Sequence, residues 1–242
     1  MKIGIITQAR MTSSRLPKKV LLPLGEQSVL SHHINRLQKS EVPVFIATTT
    51  NQTDDPIVEF CQQNNVPFYR GSEDHVLSRF YYCALQYELD IIVRVTSDCP
   101  LIDGPLIRKS VIKYVERNNL DVYLSNCIER TFPRGLDFEI FSFKLLKEAY
   151  EKAILKVDIE HVTPFIHQKR AKNVIFHHIL NHTDKSNYRI TLDTEDDYKL
   201  LQLLVEKHNA HLMNSQELIN CLDKNQDLNN INKHIEQKKL GE

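Results

Sequence analysis

The strongest constraint on the fold is an alternation of short apolar runs with amphipathic stretches in the first half of the chain. Ile3 to Ile6, Val44 to Thr50, Val66 to Tyr69 and Ile91 to Val95 are each short enough to be a buried strand, and the last is the clearest of them. Helical spacing fills the gaps between them. Val29 to Leu37 follows Ser28, a ready N-cap. Asp54-Asp55-Pro56 opens the next helix with acids at its start and proline at an early position. Gly71-Ser-Glu-Asp then leads into apolar positions at Val76, Phe80, Ala84 and Leu85. Strand and helix alternating in this way predict an α/β chain with a mainly parallel central sheet flanked by helices.

Beyond the fourth strand the pattern continues and then loosens. A helix over Ile107 to Val115 and a strand over Asp121 to Leu124 come first, with Asp103 as an N-cap. Cys127 to Gly135 reads as a loop, Leu136 to Phe141 as a strand, Ser142 to Ala153 as a capped helix and Asp158 onward as a shorter one. Asn173 to Ile179 and Tyr188 to Leu192 are strand candidates, and Glu195 to His208 is a helix. The expectation is one α/β domain over 1–242, with residues 126–182 an excursion from the sheet and 214–242 a peripheral helical tail, frayed at its end.

Composition narrows the function classes. With 31 basic and 31 acidic residues the formal net charge is zero, which gives no bulk attraction to nucleic acid or to a membrane surface. No apolar run reaches membrane-spanning length and the start lacks a signal-peptide pattern, so a cytoplasmic location is expected. The five cysteines are scattered, without a C-x-x-C pair, and read as free thiols.

Against that neutral background one stretch is locally cationic. After Ile6 the chain carries Arg10, Arg15, Lys18 and Lys19 with Thr12, Ser13 and Ser14 between them, and no acid occurs before Glu26. A strand that empties into an acid-free, hydroxyl-rich, basic loop suits a polyphosphate, whose oxygens accept from amides and hydroxyls while the cations neutralise its charge. The plain alternative is an exposed basic turn. A bound polyphosphate would bring a divalent cation, and Mg²⁺ takes one or two carboxylates besides phosphate and water. Asp98 stands just past the strongest strand, at the sheet end where ligands of open α/β sheets bind. It could equally cap the helix that follows. Asp193 again stands directly after a strand and before a helix, either as a second site carboxylate or as an N-cap partnered by Asp196.

The order of residues in the loop is more specific than its charge. Gln-Ala-Arg-Met-x-Ser-x-Arg-Leu-Pro-x-Lys-Val-Leu resembles the opening motif of the SpsF-type spore coat polysaccharide biosynthesis proteins. These belong to the cytidylyltransferase family with the CMP-ketodeoxyoctulosonate and CMP-sialate synthetases. Weaker echoes run on to Tyr198. The resemblance implies a Rossmann-like nucleotide-diphospho-sugar transferase fold with a small arm for dimerisation and sugar binding. It also implies that Arg10 and Lys19 hold the triphosphate of CTP, with Ala9, Ser13, Ser14 and Arg15 completing the loop. Thr-Ser-Asp-Cys-Pro-Leu-Ile-Asp resembles the family's metal motif and makes Asp98 a Mg²⁺ ligand beside Ser97; the late Asp-Thr-x-x-Asp adds Asp193. Gly71, Ser72 and Arg79 fall in a stretch similar to the one lining the nucleoside. One departure stands out: the family usually has glycine where this chain has Lys18, a position where positive φ or close backbone approach is at stake.

The loosely patterned segment holds Pro133-Arg134-Gly-Leu-Asp137-Phe-Glu139 and Glu160-His161-Val-Thr-Pro, which resemble further motifs of the same proteins. If the acceptor is a sugar acid, Arg134 would pair its carboxylate, while Asp137, Glu139, Glu160 and His161 would bind hydroxyls or assist deprotonation. Otherwise these residues tie a dimer arm together by ion pairs. The activity implied is transfer of CMP from CTP to a sugar acid by a Mg²⁺-dependent homodimer. A sugar-1-phosphate nucleotidyltransferase fits less well, since it usually opens glycine-rich and this loop has no glycine between Ile5 and Val20. A glycosyltransferase would want Asp-x-Asp, poorly matched by Glu195-Asp196-Asp197. A nucleotide-binding subunit without turnover is the non-enzymatic alternative, hinted at by Lys18.

Overall fold

The chain, described over residues 1–237 by a computed structural model, is built on nine strands. These are β1 (Ile3–Gln8), β2 (Pro23–Leu24), β3 (Gln27–Ser28), β4 (Val44–Thr49), β5 (Phe68–Gly71), β6 (Ile91–Thr96), β7 (Val122–Ser125), β8 (Glu139–Ser142) and β9 (Ile175–His178). β2 and β3 form a small hairpin whose turn uses Gly25 at φ +64°, while the other seven make one sheet in the order β5-β4-β1-β6-β8-β7-β9. Within it β5, β4, β1 and β6 are parallel, β8 runs against both of its neighbours, and β7 and β9 are parallel to each other. The sheet is therefore mixed, with β8 alone reversed.

Among the described residues ten α-helices accompany it: α1 (Val29–Gln38), α2 (Asp55–Gln63), α3 (Val76–Gln86), α4 (Gly104–Glu116), α5 (Phe143–Lys152), α6 (Lys156–His161), α7 (Pro164–His167), α8 (Glu195–His208), α9 (Ser215–Lys224) and α10 (Gln226–Asn230). Period-two alternation divides the strand residues between two cores. Ile5, Ile46 and Val93 pack with Ile34 of α1, Ile57 of α2 and Ile107 of α4. Ile6, Ala47 and Ile92 pack on the other face with Phe80 of α3 and Leu145 of α5. The local start signals work as expected. Ser28, Asp103 and Ser142 each accept a backbone amide three residues on.

Three expectations need adjustment. Residues 126–182 leave the sheet only in part, because β8 sits between β6 and β7 and β9 pairs with β7. Tyr188 to Leu192 is not a strand. It touches the loop before β8 through a single bridge, Arg134 to Arg189, where Gly135 at φ +105° lies so close to Ile190 that a Cβ would meet its carbonyl carbon at 2.7 Å. A loop held this way offers no second rung, so no ladder forms. Finally, the tail is well packed as far as it is described. Leu218 and Leu222 of α9 are fully buried in a third core with Leu24, Leu192, Leu200 and Leu204, and α9 starts with a capping box between Asn214 and Glu217. Residues 238–242 of the expected tail lie outside the described residues.

Candidate active site

From β1 the chain crosses to β4 and β5 on one side, then returns to β6 on the other, so the strand order reverses at β1. The crevice beyond the carboxyl ends of β1 and β6 is the place such sheets offer a ligand. A cleft of about 720 Å³ opens there, lined by Ala9, Arg10, Ser13, Ser14, Arg15, Lys19, Arg79, Ser97, Asp98, Glu160, His161 and Asp193 among others.

The loop after β1 is held from below. Asp54, fully buried, accepts the Met11 amide at 2.7 Å and the hydroxyl of Thr49. Glu73 clamps the loop from the side, accepting from Thr12 and Asn51 and lying 3.4 Å from Arg10. Lys18 ends the loop at φ 60°, ψ 14°, in the left-handed region, with its amide donating to the Met11 carbonyl at 2.8 Å. The lysine thus keeps the conformation for which glycine is the usual choice. The residue after it turns inward while Lys18 itself is exposed.

Lys19 is the centre of the site. Its ammonium donates to Asp98 Oδ2 at 2.8 Å, Asp193 Oδ1 at 2.8 Å and the Leu192 carbonyl at 2.7 Å, which uses all three of its protons. Burial alone would lower its pKa, but Asp98 and Asp193 outweigh that and raise it. Burial likewise pushes Asp98 up, and Lys19 reverses the sign and holds it well below the usual carboxylate range. Asp98 therefore serves Lys19 rather than capping a helix. Asp193 is not a cap either: Thr194 caps α8, with Asp197 as its capping-box partner, while Asp196 faces His234. The remaining Asp193 oxygen accepts from Arg189 at 2.9 Å, and Arg15 approaches Oδ1 at 3.0 Å. Two segments nearly a hundred positions apart meet because the Leu192 amide donates to the Asp98 carbonyl at 2.8 Å.

The donor set suits a hard divalent cation. Asp98 and Asp193 meet on the Lys19 ammonium, each with a second carboxylate oxygen beyond that contact, and among the described residues no group of three or more His, Cys, Asp or Glu side chains could cage a metal. An ion that needs one or two carboxylates and completes its shell with phosphate and water fits that pair.

On the nucleoside side, Arg79 is 2% exposed, and its Nε and Nη1 have no partner among the described residues. Burial, then Arg10, lower its pKa to about 10. A guanidinium in that position is a donor awaiting an acceptor. Gly71 and Ser72 do not line the cleft; Gly71 ends β5, and the Ser72 hydroxyl accepts the His75 amide at 3.2 Å.

A second cavity of about 300 Å³ adjoins the first and shares Thr96, His161 and Gln237 with it. Arg134, Asp137 and Glu139 line this one, whereas Glu160 lines only the larger cleft. Glu139 is committed to the fold. It faces Arg94 across the β6–β8 pair and forms an ion pair with it, and it also accepts from Tyr123 and, at 2.7 Å, from Thr163. Asp137 is paired with Arg130. Arg134 differs, since no side chain among the described residues holds its guanidinium. Burial lowers the pKa of His161. Asp54, Glu73, Arg94, Arg189 and Gln237 were not singled out from the sequence. Asp54, Glu73, Arg94 and Gln237 hold partners far off along the chain, and only Arg189, with its partners Asp193 and Asp197 in the Asp-Thr-x-x-Asp run just after it, gave a usable signal.

Comparison with known proteins agrees with this geometry. The profile of the family described as cytidylyltransferase matches residues 3–235. The chain is 38% identical to an uncharacterized protein of Methanocaldococcus jannaschii, over all of this chain and 99% of that one. It is 31% identical to the spore coat polysaccharide biosynthesis protein SpsF of Bacillus subtilis, over 93% of this chain and 95% of that one. Among solved structures, a cytidylyltransferase from Leptospira borgpetersenii superposes with a TM-score of 0.91 at 34% identity, covering 99% of this chain and all of the other. A CMP-2-keto-3-deoxy-manno-octonic acid synthetase complexed with CTP shares the fold at TM-score 0.62 and 16% identity, covering 86% of this chain and all of that one. This chain belongs to the cytidylyltransferase family and is a CTP-dependent nucleotidyltransferase of that family's fold.

Proposed function

We propose that the protein activates a sugar acid with CTP, giving a CMP-sugar and pyrophosphate for surface polysaccharide or glycoconjugate synthesis. The observation that carries the reading is the Asp98–Lys19–Asp193 cluster beneath the basic loop, in a cleft that adjoins a second cavity where Arg134 has no side-chain partner among the described residues. In this scheme a sugar hydroxyl attacks the α-phosphorus of CTP, a new P–O bond forms, and the bond to the bridging oxygen breaks as pyrophosphate leaves. Arg10, Arg15 and Lys19 bind the β- and γ-phosphates and neutralise the charge that gathers there, while Ser13 and Ser14 donate to the same oxygens. Asp98 and Asp193 would hold Mg²⁺, which supplies further neutralisation of phosphate oxygens when bound. Arg79 and Ser97 contact the nucleoside. Arg134 meets the acceptor's carboxylate, and Asp137 fixes its hydroxyls. His161 stands at the junction of the two cavities; its lowered pKa keeps it neutral near pH 7, so it can take the hydroxyl proton.

The working form we propose is a homodimer in the cytoplasm, joined through residues 126–182. Ile128, Ile154, Leu155, Ile175 and Leu180 of that segment are exposed, and β9 is an edge strand. Light scattering that gave a monomer at working concentration would remove the dimer. Among the described residues no helix is long and apolar enough to cross a membrane.

The deciding experiment is pyrophosphate release with each of the four nucleoside triphosphates against acidic, neutral, amino and 1-phosphorylated sugars, with and without EDTA. Release with CTP and an acidic sugar, abolished by EDTA, is the expected result. Release only with a sugar 1-phosphate would favour the other nucleotidyltransferase class.

A further inference from the structure

The segment after α10 returns to the site. Asn232 is 3% exposed, and its side-chain amide donates to the Arg189 carbonyl at 3.0 Å and to Asp197 Oδ1 at 2.8 Å. Five residues on, Gln237 accepts from Arg189 Nη1 at 2.6 Å. Arg189 is itself locked, with Nε donating to Asp197 Oδ1 at 2.8 Å and Nη2 to Asp193 Oδ2 at 2.9 Å. Gln237 lines both cavities, and of the residues that do so it is the one contributed by the C-terminal segment.

The chemistry of this contact fixes which way the amide points. A guanidinium only donates, so the carboxamide oxygen must face Arg189 and the NH₂ group must face away from it. Gln237 is exposed, and among the described residues its NH₂ has no acceptor. It stands at the partition where a sugar in the smaller cavity would approach a nucleotide in the larger one.

We propose that Gln237 is a specificity residue of the acceptor site, donating through its amide to an oxygen of the sugar, and that Asn232 and Arg189 are the positioning residues that hold it there. This rests on the reading of the smaller cavity as the acceptor site. The two ends of Gln237 can be separated by substitution. Gln237→Glu keeps an oxygen for Arg189 but replaces the donor with a second acceptor, whereas Gln237→Ala removes both. Asn232→Ala loosens the strap without touching either cavity.

Two measurements on the full-length protein test the proposal. The first is steady-state pyrophosphate release with the sugar that the wild-type enzyme turns over. For Gln237→Glu, KM for that sugar should rise tenfold or more with KM for CTP within twofold, because a carboxylate cannot donate and repels the carboxylate of an acidic sugar. Gln237→Ala should show a smaller rise. A Gln237→Glu enzyme with unchanged sugar KM would mean that Gln237 only anchors the strap, and would overturn the proposal. The second measurement needs no turnover. The Gln237 side-chain amide, assigned by its absence from Gln237→Glu, is followed by ¹⁵N NMR while the same sugar panel is added to protein holding a non-hydrolysable CTP analogue. A shift with any sugar upholds the placing of Gln237 even if no acidic sugar reacts, which would sink only the sugar-acid reading. An amide unmoved by the whole panel overturns the proposal.

Discussion

The two walls of the site are built on different plans. The wall we assign to the nucleotide draws on one loop: Ala9, Arg10, Ser13, Ser14, Arg15 and Lys19 all line the cleft, and the loop is fastened to the parallel half of the sheet by Asp54 and Glu73. The wall we assign to the acceptor is assembled from afar, with Arg94 on β6, Arg134 before β8, His161 on α6 and Gln237 near the end of the described residues. In the nucleotide wall the cations Arg10, Arg15 and Lys19 line the cleft while each is paired with a carboxylate, Arg10 with Glu73, Arg15 with Asp193 and Lys19 with Asp98 and Asp193. In the acceptor wall two of the three arginines, Arg94 and Arg130, are neutralised by Glu139 and Asp137. Both walls hold cations in ion pairs; the first takes them from one loop, and the second takes them from separate elements and leaves Arg134 without a side-chain partner among the described residues. The cluster around Lys19 lies wholly in the larger cleft, and it is tied to the other wall through Arg189, which donates to Asp193, bridges to Arg134 and holds Gln237.

The sharpest test of that junction is to remove its carboxylates. Asp98→Asn and Asp193→Asn should each lower kcat by about three decades while the folded state persists, since Lys19 retains the other carboxylate. A variant that kept a tenth of wild-type turnover would separate the two walls and leave the cluster without a catalytic role. Replacing Lys19 should come next. Lys19→Ala is expected to lower kcat by roughly two to three decades and to raise KM for CTP far less, because neutralising pyrophosphate as it leaves acts on the transition state. It should also cost on the order of 3 kcal/mol of stability, as two carboxylates then face each other without a cation. Adding Mg²⁺ should restore part of that loss in a melting experiment.

The same variant carries a pH signature. Asp98 has a folded-state pKa below its unfolded one, so its contribution is present above about pH 4 and lost as pH falls through the folded value. Lys19 has a raised folded-state pKa, so its contribution is complete below about pH 10 and lost as pH rises through the folded value. Lys19→Ala should therefore remove the loss at the basic end and reverse the slope at the acid end, where protonating a carboxylate relieves the facing pair. A profile parallel to that of the wild type would show that the cluster contributes little to folding.

The acceptor wall makes the opposite prediction. Glu139→Gln leaves Arg94 buried without its counter-charge, which typically costs about 3–5 kcal/mol, or roughly 10 °C in Tm for a chain of this size. Its KM for CTP should stay near the wild-type value. A Glu139→Gln protein that melted normally but lost sugar binding would return Glu139 to the substrate.

The contrast also explains how much could be read before the structure. Ala9 to Lys19 was legible because phosphate chemistry there is written in consecutive residues, and the strands of the parallel half were legible because a strand buried on both faces is a continuous apolar run. Tyr188 to Leu192 misled for a related reason. Tyr188, Ile190 and Leu192 are buried in alternation, but Arg189, Thr191 and Asp193 are nearly as buried, so the segment is threaded through the interior with a loop rather than a strand as its neighbour. Arg94 shows the limit most clearly. It interrupts the best apolar run of the chain, and only the pairing of β6 with β8 reveals that Glu139 stands opposite it.

The smallest effect belongs to Lys18, and it tests whether the nucleotide wall is as local as it looks. At φ 60° a side chain with a Cβ costs about 1–2 kcal/mol relative to the right-handed region. Glycine escapes that cost but loses more conformational freedom on folding, about 0.5–1 kcal/mol. Lys18→Gly should therefore be neutral or stabilising by less than about 1 kcal/mol, with kcat unchanged. Lys18→Ala keeps the strain and drops only an exposed charge, so neither stability nor kcat should move by more than a small factor. The pair isolates backbone from charge. If Lys18→Ala lost turnover as Lys19→Ala does, the exposed ammonium would be reaching the phosphates, the inward ammonium would be structural, and the order of cations along the loop would have to be shifted by one residue.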